Sequence, residues 1–397
     1  MKITLPTVIR TSEPGSFALR TFQTRVPKII DELVATNDYP EIVVRSLDLL
    51  RQEITSGEIQ PLDEDASDKE SWNAQVLQYA GKTWLDLPWF WAEAYLYRRI
   101  LQAVKYFQPG DFYLRDPYGP VKRAELHSER APDALIALLD ELPTNLSDAF
   151  SSLLHSSLWS NRVDLSMAGL VDIRADNTSA HNIANLLADD TPRVWSLLQQ
   201  SAPCRIDILC DNAGAELGFD LALVDFMLRA ELASQITLRL KPQPTFVSDA
   251  TIDDVRASLE AFAQASAPEL RELAARLAHV SHEKRLILTD HPFWVSGFFF
   301  HAMPDDLRND LAQATLVISK GDANYRRLVG DCHWPPTARF KSAVAYFPAP
   351  VVALRTLKSE LTVGLTARQV EQLNVQDPAW RVGGQYGVIQ MAKPEII

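Results

Sequence analysis

The sequence predicts an α/β protein in which a helical N-terminal part packs on a C-terminal three-layer α/β/α domain with a mostly parallel sheet. From residue 205 onward, short β-branched or leucine-rich runs alternate with helical segments, which is typical of a parallel sheet covered by helices on both faces. Before that point, apolar residues recur mainly at helical spacing. We therefore predict a mainly helical domain over residues 1–180 and an α/β domain over residues 181–397.

The helical pattern of the N-terminal part begins near Phe22 and continues through Leu33. An aromatic-rich segment at 83–107 predicts a buried helix, since clustered Trp, Tyr and Phe side chains are usually core. Further helices are predicted at about 41–54, 132–141, 147–155 and 179–200, and loops at 61–70 and 111–123.

Six short apolar runs in the C-terminal part predict strands. They are residues 205–210, 236–240, 285–289, 314–319, 343–347 and 351–354. The glycine-rich stretch 383–387 is too late in the chain and too incomplete for a dinucleotide fingerprint, and it predicts a loop.

Composition excludes several classes of function. Lys plus Arg number 39 and Asp plus Glu 51, so the net charge of −12 argues against broad binding to nucleic acid or to anionic membranes. Three cysteines without paired spacing predict neither a disulfide framework nor a zinc motif. No signal peptide and no run that could span a bilayer is evident, so we expect a cytosolic, or cytosolic and nuclear, protein with a small-molecule ligand.

Oxygen-bearing side chains follow two predicted strands. Asp211 and Asn212 come directly after strand 205–210, and Asp249 precedes the helix after strand 236–240. Because ligands of open α/β sheets lie beyond the carboxyl ends of the strands, these three oxygens could converge on Mg²⁺ or Mn²⁺. Taken singly, each residue could equally be an ordinary turn or helix cap.

Cations follow two other strands. The segment from Lys320 to Arg327 combines Lys320 and Arg326 with Gly321, where backbone can approach closely, and it predicts an anion cradle without P-loop spacing. Lys358, at the end of the last strand, could meet a phosphate as a point charge. The alternatives are a capped helix with surface charges and a solvated lysine. His291 and His301 flank an aromatic stretch and are interpreted as structural.

Four ordered motifs carry a resemblance to a known family: Asp211-Asn212-Ala213-Gly214-Ala215-Glu216-Leu217, Ser248-Asp249-Ala250-Thr251, Lys320-Gly321-Asp322-Ala323-Asn324-Tyr325-Arg326 and Arg355-Thr356-Leu357-Lys358. Together they resemble the damage-control metal-dependent phosphatases. The last tetrad is similar to the Arg-Thr-x-Lys signature of the subfamily acting on sugar phosphates, also called acidic-residue methyltransferase-like proteins. N-terminal pieces agree with the resemblance, including Ser16-Phe17-Ala18 with Arg25, and Leu158-Trp159-Ser160-Asn161.

The resemblance implies roles for individual residues. Asp211, Asn212 and Asp249 would be the metal ligands and the catalytic set, with Mn²⁺, Ni²⁺, Co²⁺ or Mg²⁺ as the cofactor. The nucleophile would be either a water or a carboxylate such as Asp249. The residues implied to contact substrate are Glu216, Lys320, Asp322, Asn324, Tyr325, Arg326, Lys358, Arg25 and Asn161.

Three hypotheses of function follow. The first is a divalent-metal-dependent phosphatase of small sugar phosphates, fructose 1-phosphate and fructose 6-phosphate by the family's implication. The second is an S-adenosylmethionine-dependent methyltransferase of protein carboxylates, which a carboxylate-rich site without a glycine-rich nucleotide loop suits poorly. The third is a binding or scaffold protein, against which the intact set of polar strand ends argues.

Overall fold

The computed structural model describes residues 4–128, 130–160 and 184–394. Its N-terminal part is helical, as predicted. The helices are α1 (Phe17–Arg20), which passes through a π-helical turn (Thr21–Arg25) into α2 (Val26–Thr36), then α3 (Glu41–Ser56), α4 (Lys69–Val76), α5 (Trp89–Ala103), α6 (Gly119–Leu126), α7 (Arg130–Asp140) and α8 (Leu146–Trp159). The prediction of a loop as far as residue 123 is wrong, because Gly119-Pro120 starts α6 and proline is well tolerated in a first helical turn.

The C-terminal part alternates strands and helices. Its elements are β1 (Leu186–Asp189), α9 (Thr191–Ser201), β2 (Cys204–Leu209), α10 (Ala215–Arg229), β3 (Ala233–Leu240), α11 (Ile252–Gln264), α12 (Pro268–His282), β4 (Leu286–Asp290), α13 (Asp305–Leu311), β5 (Leu316–Lys320), α14 (Gly321–Val329), α15 (Phe340–Ala343), β6 (Val351–Thr356), α16 (Ala367–Gln376) and β7 (Gly387–Ala392). Among the helices of the described residues, none combines the length and apolar character that a membrane span requires.

The strands form one sheet in the order β1-β7-β6-β5-β2-β3-β4. Neighbouring strands run parallel except β6 and β7, which are antiparallel, so the predicted mostly parallel sheet is confirmed. From β2 the chain proceeds outward through β3 to β4, and then returns to the opposite side of β2 to form β5 and β6. The carboxyl ends of β2 and β5 therefore form a topological switch point, where open α/β sheets bind their ligands.

Alternate residues of the central strands belong to two different apolar cores. Val317 and Val351 join a core that includes the aromatic residues of α5, whereas Ile318 and Val352 join a core with α8 and α10. Because successive side chains of a strand point to opposite faces, helices α1 to α5 lie on one face of the sheet and α8 to α10 lie on the other. The predicted three layers are thus completed by helices from both parts of the chain.

One predicted strand is wrong and two strands were not predicted. Residues 343–347 form the end of α15 and a turn, and Ala343, Val344 and Phe347 are apolar because they are buried in the core, not because they join the sheet. The strand β1 has only four residues and replaces part of the helix predicted at 179–200, of which residues 179–183 lie outside the described chain. The strand β7 begins at Gly387, the last residue of the glycine-rich stretch, and the prediction of a loop there left the strand unpredicted.

Candidate metal and phosphate site

The structure brings Asp211, Asn212 and Asp249 together at the switch point. Asn212 and Asp249 are paired in an isolated antiparallel bridge. On either side of it, Ala250 donates its backbone N–H to the Asp211 carbonyl at 2.7 Å, and Ala213 donates to the Ser248 carbonyl at 2.7 Å. Three predicted ligands from two strand ends therefore lie side by side, although their role as ligands stays a prediction.

Gly321 makes room for the Asp211 carboxylate. Its φ of +82° lies in the left-handed region, and a Cβ built there would lie 1.8 Å from Asp211 Oδ2. Only glycine meets both conditions. The close approach predicted from sequence is thus made to a carboxylate across the switch point.

Three buried carboxylates share this corner. Asp211, Glu216 and Asp249 are each at most 5% exposed. Burial, and then the charges of Glu216 and Asp249, raise the pKa of Asp211 well above its usual range. Burial also raises the pKa of Asp249, against the opposing charge of Lys241. Like charges held together away from water favour a neutralising cation.

The donor set fits a divalent metal. Asp211, Asn212 and Asp249 offer hard oxygens, which Mg²⁺ and Mn²⁺ prefer, and the surplus negative charge of the corner would be offset by two positive charges. In the part of the chain that the structure describes, no group of three or more His, Cys, Asp and Glu side chains is arranged to hold a metal. The predicted set has two carboxylates and an amide.

Hydrogen bonds fix the Asn212 amide. Its Nδ2 donates to Glu216 Oε2 at 2.9 Å and to Asp211 Oδ2 at 3.2 Å. Its Oδ1 accepts from Ser248 Oγ at 2.7 Å. Glu216, on the first turn of α10, therefore contacts a predicted metal ligand, while its contact with substrate stays a prediction.

Two lysines hold Asp249. Lys241 Nζ lies 2.8 Å from Asp249 Oδ2, and Lys122 Nζ donates to the Asp249 carbonyl at 2.9 Å. Burial alone would lower the pKa of Lys122, but the Asp116 and Asp254 carboxylates raise it overall. The side chain and the backbone of Asp249 are thus fixed separately.

Lys320 is part of an internal charge cluster behind the site. Its ammonium donates to Asp220 Oδ1 at 2.6 Å and to the carbonyl and Oγ of Ser157, both at 2.7 Å, and it lies 3.2 Å from Glu216 Oε1. An ammonium has three N–H donors, and the three hydrogen bonds to Asp220 and Ser157 use them. In this arrangement Lys320 offsets part of the charge of Glu216 and Asp220, so its predicted phosphate contact would require one of these bonds to break.

The side chains of α14 that were predicted to bind substrate are mostly engaged inside the protein. Asn324 Nδ2 donates to the carbonyls of Lys320 at 2.8 Å and Cys210 at 3.1 Å, which ties the helix to the end of β2. Tyr325 donates its hydroxyl to Gln390 Oε1 at 2.8 Å. Arg326 pairs with Glu93 and Asp331 and stacks 3.7 Å from the centre of the Trp89 ring.

Asp322 organises the Arg355–Lys358 signature. Its Oδ1 accepts from Arg355 Nε at 2.7 Å, Ser359 Oγ at 3.0 Å and the Lys358 backbone N–H at 3.2 Å. Although burial opposes it, the Arg355 charge lowers the pKa of Asp322 below its usual value. The charge of Lys358 acts on Asp211, so this lysine lies near the predicted metal ligands.

The remaining predicted contacts are peripheral or undescribed. Arg25 is exposed at the end of the π-helical turn, and its charge acts on Glu93 and Tyr97. Asn161 lies outside the described residues. Glu125 of α6 was not predicted, yet its Oε1 accepts the Ala215 backbone N–H at 2.8 Å and so caps α10 beside the predicted ligands.

Comparison with known proteins decides the family. A protein-family model described as the damage-control phosphatase ARMT1-like domain matches residues 19–373. The chain belongs to the ARMT1-like damage-control phosphatase family. This agrees with the resemblance that the four motifs carried.

Curated ARMT1-like relatives match along almost their whole length. The chain is 34% identical to damage-control phosphatase ARMT1 of Danio rerio, covering 96% of this chain and 95% of that protein. It is 33% identical to the Mus musculus protein of the same name and 31% to the Homo sapiens one, each over 98% of this chain and 99% of theirs. A crystal structure of a DUF89 family protein from Pyrococcus horikoshii is similar in fold, with a TM-score of 0.54 at 13% identity, covering 95% of this chain and 98% of that one.

Sequence reasoning missed several polar residues of this ARMT1-like site. Lys241 directly follows β3, as Asp211 follows β2, and this position was a usable signal. Lys122, Glu125 and Ser157 belong to none of the quoted motifs, and only the folded chain brings them to the carboxyl edge of the sheet.

Proposed function

We propose that this ARMT1-like protein is a divalent-metal-dependent phosphatase of small sugar phosphates, of the fructose 1-phosphate and fructose 6-phosphate type. The observation that carries the proposal is the cluster of Asp211, Asn212 and Asp249 beside a further buried carboxylate at the switch point. Such a cluster of carboxylates suits a divalent cation, which in turn binds the phosphate group of a substrate. The phosphatase names of the relatives support the same reaction class.

The proposed reaction is hydrolysis of a phosphate monoester. The bond between phosphorus and the sugar oxygen breaks, a bond to the oxygen of water forms, and the sugar oxygen leaves with a proton. In such reactions positioning and electrostatic stabilisation supply most of the rate enhancement. Asp211, Asn212 and Asp249 would hold the cation, which when bound polarises the phosphoryl group and offsets its charge.

The residues around the proposed ligands have separable tasks. Lys241 and Lys122 fix Asp249 from its side chain and its carbonyl. Lys358, placed by Asp322 at the end of β6, is the cation we assign to the phosphate oxygens. Lys320 keeps the charge of Glu216 balanced, so that Glu216 accepts from the Asn212 amide.

Phosphate release from a panel of esters tests the proposal. Each ester is assayed with Mn²⁺, Mg²⁺, Co²⁺ and Ni²⁺ and against a chelated sample. We expect turnover only with metal, and a loss of about 100-fold or more for Asp249→Asn. Mn²⁺ affinity, measured calorimetrically, should fall in the same variant.

Asp225 supplies the matched control. It is 3% exposed and ion-paired with Arg229 on α10 and Arg276 on α12, so Asp225→Asn also removes a buried carboxylate. The folded Asp225→Asn protein should keep its turnover and its Mn²⁺ affinity. Wild-type turnover in Asp249→Asn, or full turnover in chelator, contradicts the proposal.

A further inference from the structure

The loop between β3 and α11 has an unusual backbone immediately before Asp249. Phe246 and Val247 are consecutive non-glycine residues with φ of +47° and +68°. A β-branched residue in this left-handed region is an outlier. The Ser248 N–H donates to the Phe246 carbonyl at 2.9 Å, which closes a three-residue turn around Val247. Turns of this kind with a positive central φ are rare and strained.

The helical layer holds this turn in place. The Phe246 ring lies 4.9 Å from the ring of Tyr97 and 6.2 Å from that of Phe90, and both belong to α5. Phe246 and Val247 are partly buried against the core that contains the α5 aromatic residues. Strained backbone persists only where its surroundings over-determine it, and such positions cluster at functional sites.

The turn delivers Ser248 to the predicted metal ligands. Its carbonyl accepts from Ala213 N–H at 2.7 Å, and its Oγ donates to Asn212 Oδ1 at 2.7 Å. Because Glu216 and Asp211 accept from the Nδ2 of the same amide, Ser248 completes a set of contacts that defines which end of Asn212 is oxygen. One residue further on, Asp249 pairs with Asn212 in the bridge.

We propose that Val247 and Ser248 are positioning residues for metal binding. The left-handed turn at Val247 aims Ser248 and Asp249 at Asn212, and the Ser248 hydroxyl keeps the amide oxygen of Asn212 oriented for a cation. This inference rests on the proposed metal-dependent function and assigns to that site two residues that position the ligands, Ser248 by direct contact and Val247 through the backbone.

Mn²⁺ binding by calorimetry, with the metal alone, tests the hydroxyl. Ser248→Ala removes the hydroxyl that donates to the Asn212 amide oxygen and so loosens this oxygen, and we expect the Mn²⁺ dissociation constant to rise about 10-fold, as is typical when a partner of a metal ligand is lost. Ser248→Thr keeps the hydroxyl and should restore binding to within about 3-fold of wild type. The matched control is Ser258→Ala, which removes a buried hydroxyl that donates to the Asp254 carbonyl on α11, and its Mn²⁺ affinity should be unchanged.

The backbone is tested by Val247→Gly and Val247→Asn. Asparagine accepts the left-handed region, so Val247→Asn should keep wild-type Mn²⁺ affinity, whereas glycine loosens the turn and should weaken binding about 10-fold. Lys284, exposed with φ of +59° after α12, gives the control Lys284→Gly, which relaxes a similar residue elsewhere without changing Mn²⁺ binding.

The outcomes separate this inference from the proposed function. If wild type binds Mn²⁺ and hydrolyses a sugar phosphate but Ser248→Ala and Val247→Gly bind Mn²⁺ as tightly, the positioning roles are overturned and the function stands. If wild type neither binds a divalent cation nor turns over any ester, the proposed function falls and the positioning roles fall with it.

Discussion

Two buried aspartates, Asp207 within β2 and Asp211 just after it, have opposite electrostatic surroundings. Asp207, within β2, is 0% exposed and accepts from Arg239 Nε at 2.9 Å and from Arg205 Nε at 3.0 Å. Asp211, four residues later, is 5% exposed and lies beside Glu216 and Asp249. The chain pairs the first carboxylate with its own guanidinium groups, whereas beside the second the charges of Glu216 and Asp249 outweigh those of Lys241 and Lys358. A carboxylate paired within the chain serves the fold, whereas one crowded by like charge is available for a ligand.

The most severe test of this contrast is Gly321→Ala. A methyl group at this position would enter the space of the Asp211 carboxylate, so we expect both Mn²⁺ binding and phosphate release to fall below detection. Gly330→Ala, directly after the same helix, is the control, because Gly330 also has a positive φ of +79° but its added Cβ would meet the flexible Leu5 side chain at 3.1 Å and Cys332 Sγ at 3.7 Å. That variant should lose roughly 1–2 kcal/mol of stability and retain Mn²⁺ binding. Equal Mn²⁺ affinity in both variants would show that Asp211 does not need the space.

Exchange of each aspartate for asparagine separates stability from function. Asp207→Asn removes the buried one of the two carboxylates that pair with Arg205 and Arg239, leaving Asp310, and should lower the unfolding free energy by about 3 kcal/mol. Asp211→Asn removes charge from a crowded carboxylate corner and should raise the unfolding free energy in chelator by on the order of 1 kcal/mol, while Mn²⁺ binding is lost. Denaturant unfolding and calorimetry on both variants check this. The contrast is refuted if Asp211→Asn destabilises the chelated protein as much as Asp207→Asn does.

Asp220 is the intermediate case and predicts a smaller, pH-dependent effect. Burial, opposed by Lys320 and assisted by Glu216, raises the pKa of Asp220 from 3.8 to about 6. The folded protein therefore holds this proton more tightly than the unfolded chain, so the contribution of Asp220 to stability is fully present below about pH 4 and is lost as pH rises through about 6. The difference corresponds to roughly 3 kcal/mol at most.

Unfolding of wild type and Asp220→Asn in chelator, from pH 4 to pH 7, measures this effect. The unfolding free energy of wild type minus that of the variant should fall as the pH rises. A difference that stays constant, or that grows with pH, would place Asp220 among the carboxylates that the chain neutralises fully, as it does Asp207.

Local patterns were enough to predict the centre of the fold. The strands β2 and β5 are apolar runs whose carboxyl ends carry polar residues and a glycine. Once they are taken as parallel neighbours, their polar ends must lie together, and no other assumption is needed. The same reasoning predicted that Asp211 and Asn212 would meet Asp249, since β2 and β3 are neighbours in sequence and in the sheet.

Local patterns failed where partners are distant in the chain. Lys122 contacts the Asp249 carbonyl over a sequence separation of 127 residues, and Ser157 contacts Lys320 over 163 residues. No sequence periodicity predicts either contact. Residues 343–347 show a related failure, because burial in a turn produces the same apolar composition as a strand. An apolar sequence pattern shows that a segment is buried, but it does not show which groups the segment forms hydrogen bonds with.

The cap that Glu125 places on α10 has a consequence for substrate choice. The positive end of α10 already holds a carboxylate from α6, so this helix end has little attraction left for an incoming anion. In the proposed phosphatase, the phosphate group would therefore be met by side chains such as Lys358 together with the proposed cation. Flexible ammonium groups can follow an ester to different depths, unlike a rigid dipole, and we expect selection among esters to be governed by the organic moiety and its contacts more than by the position of the anion.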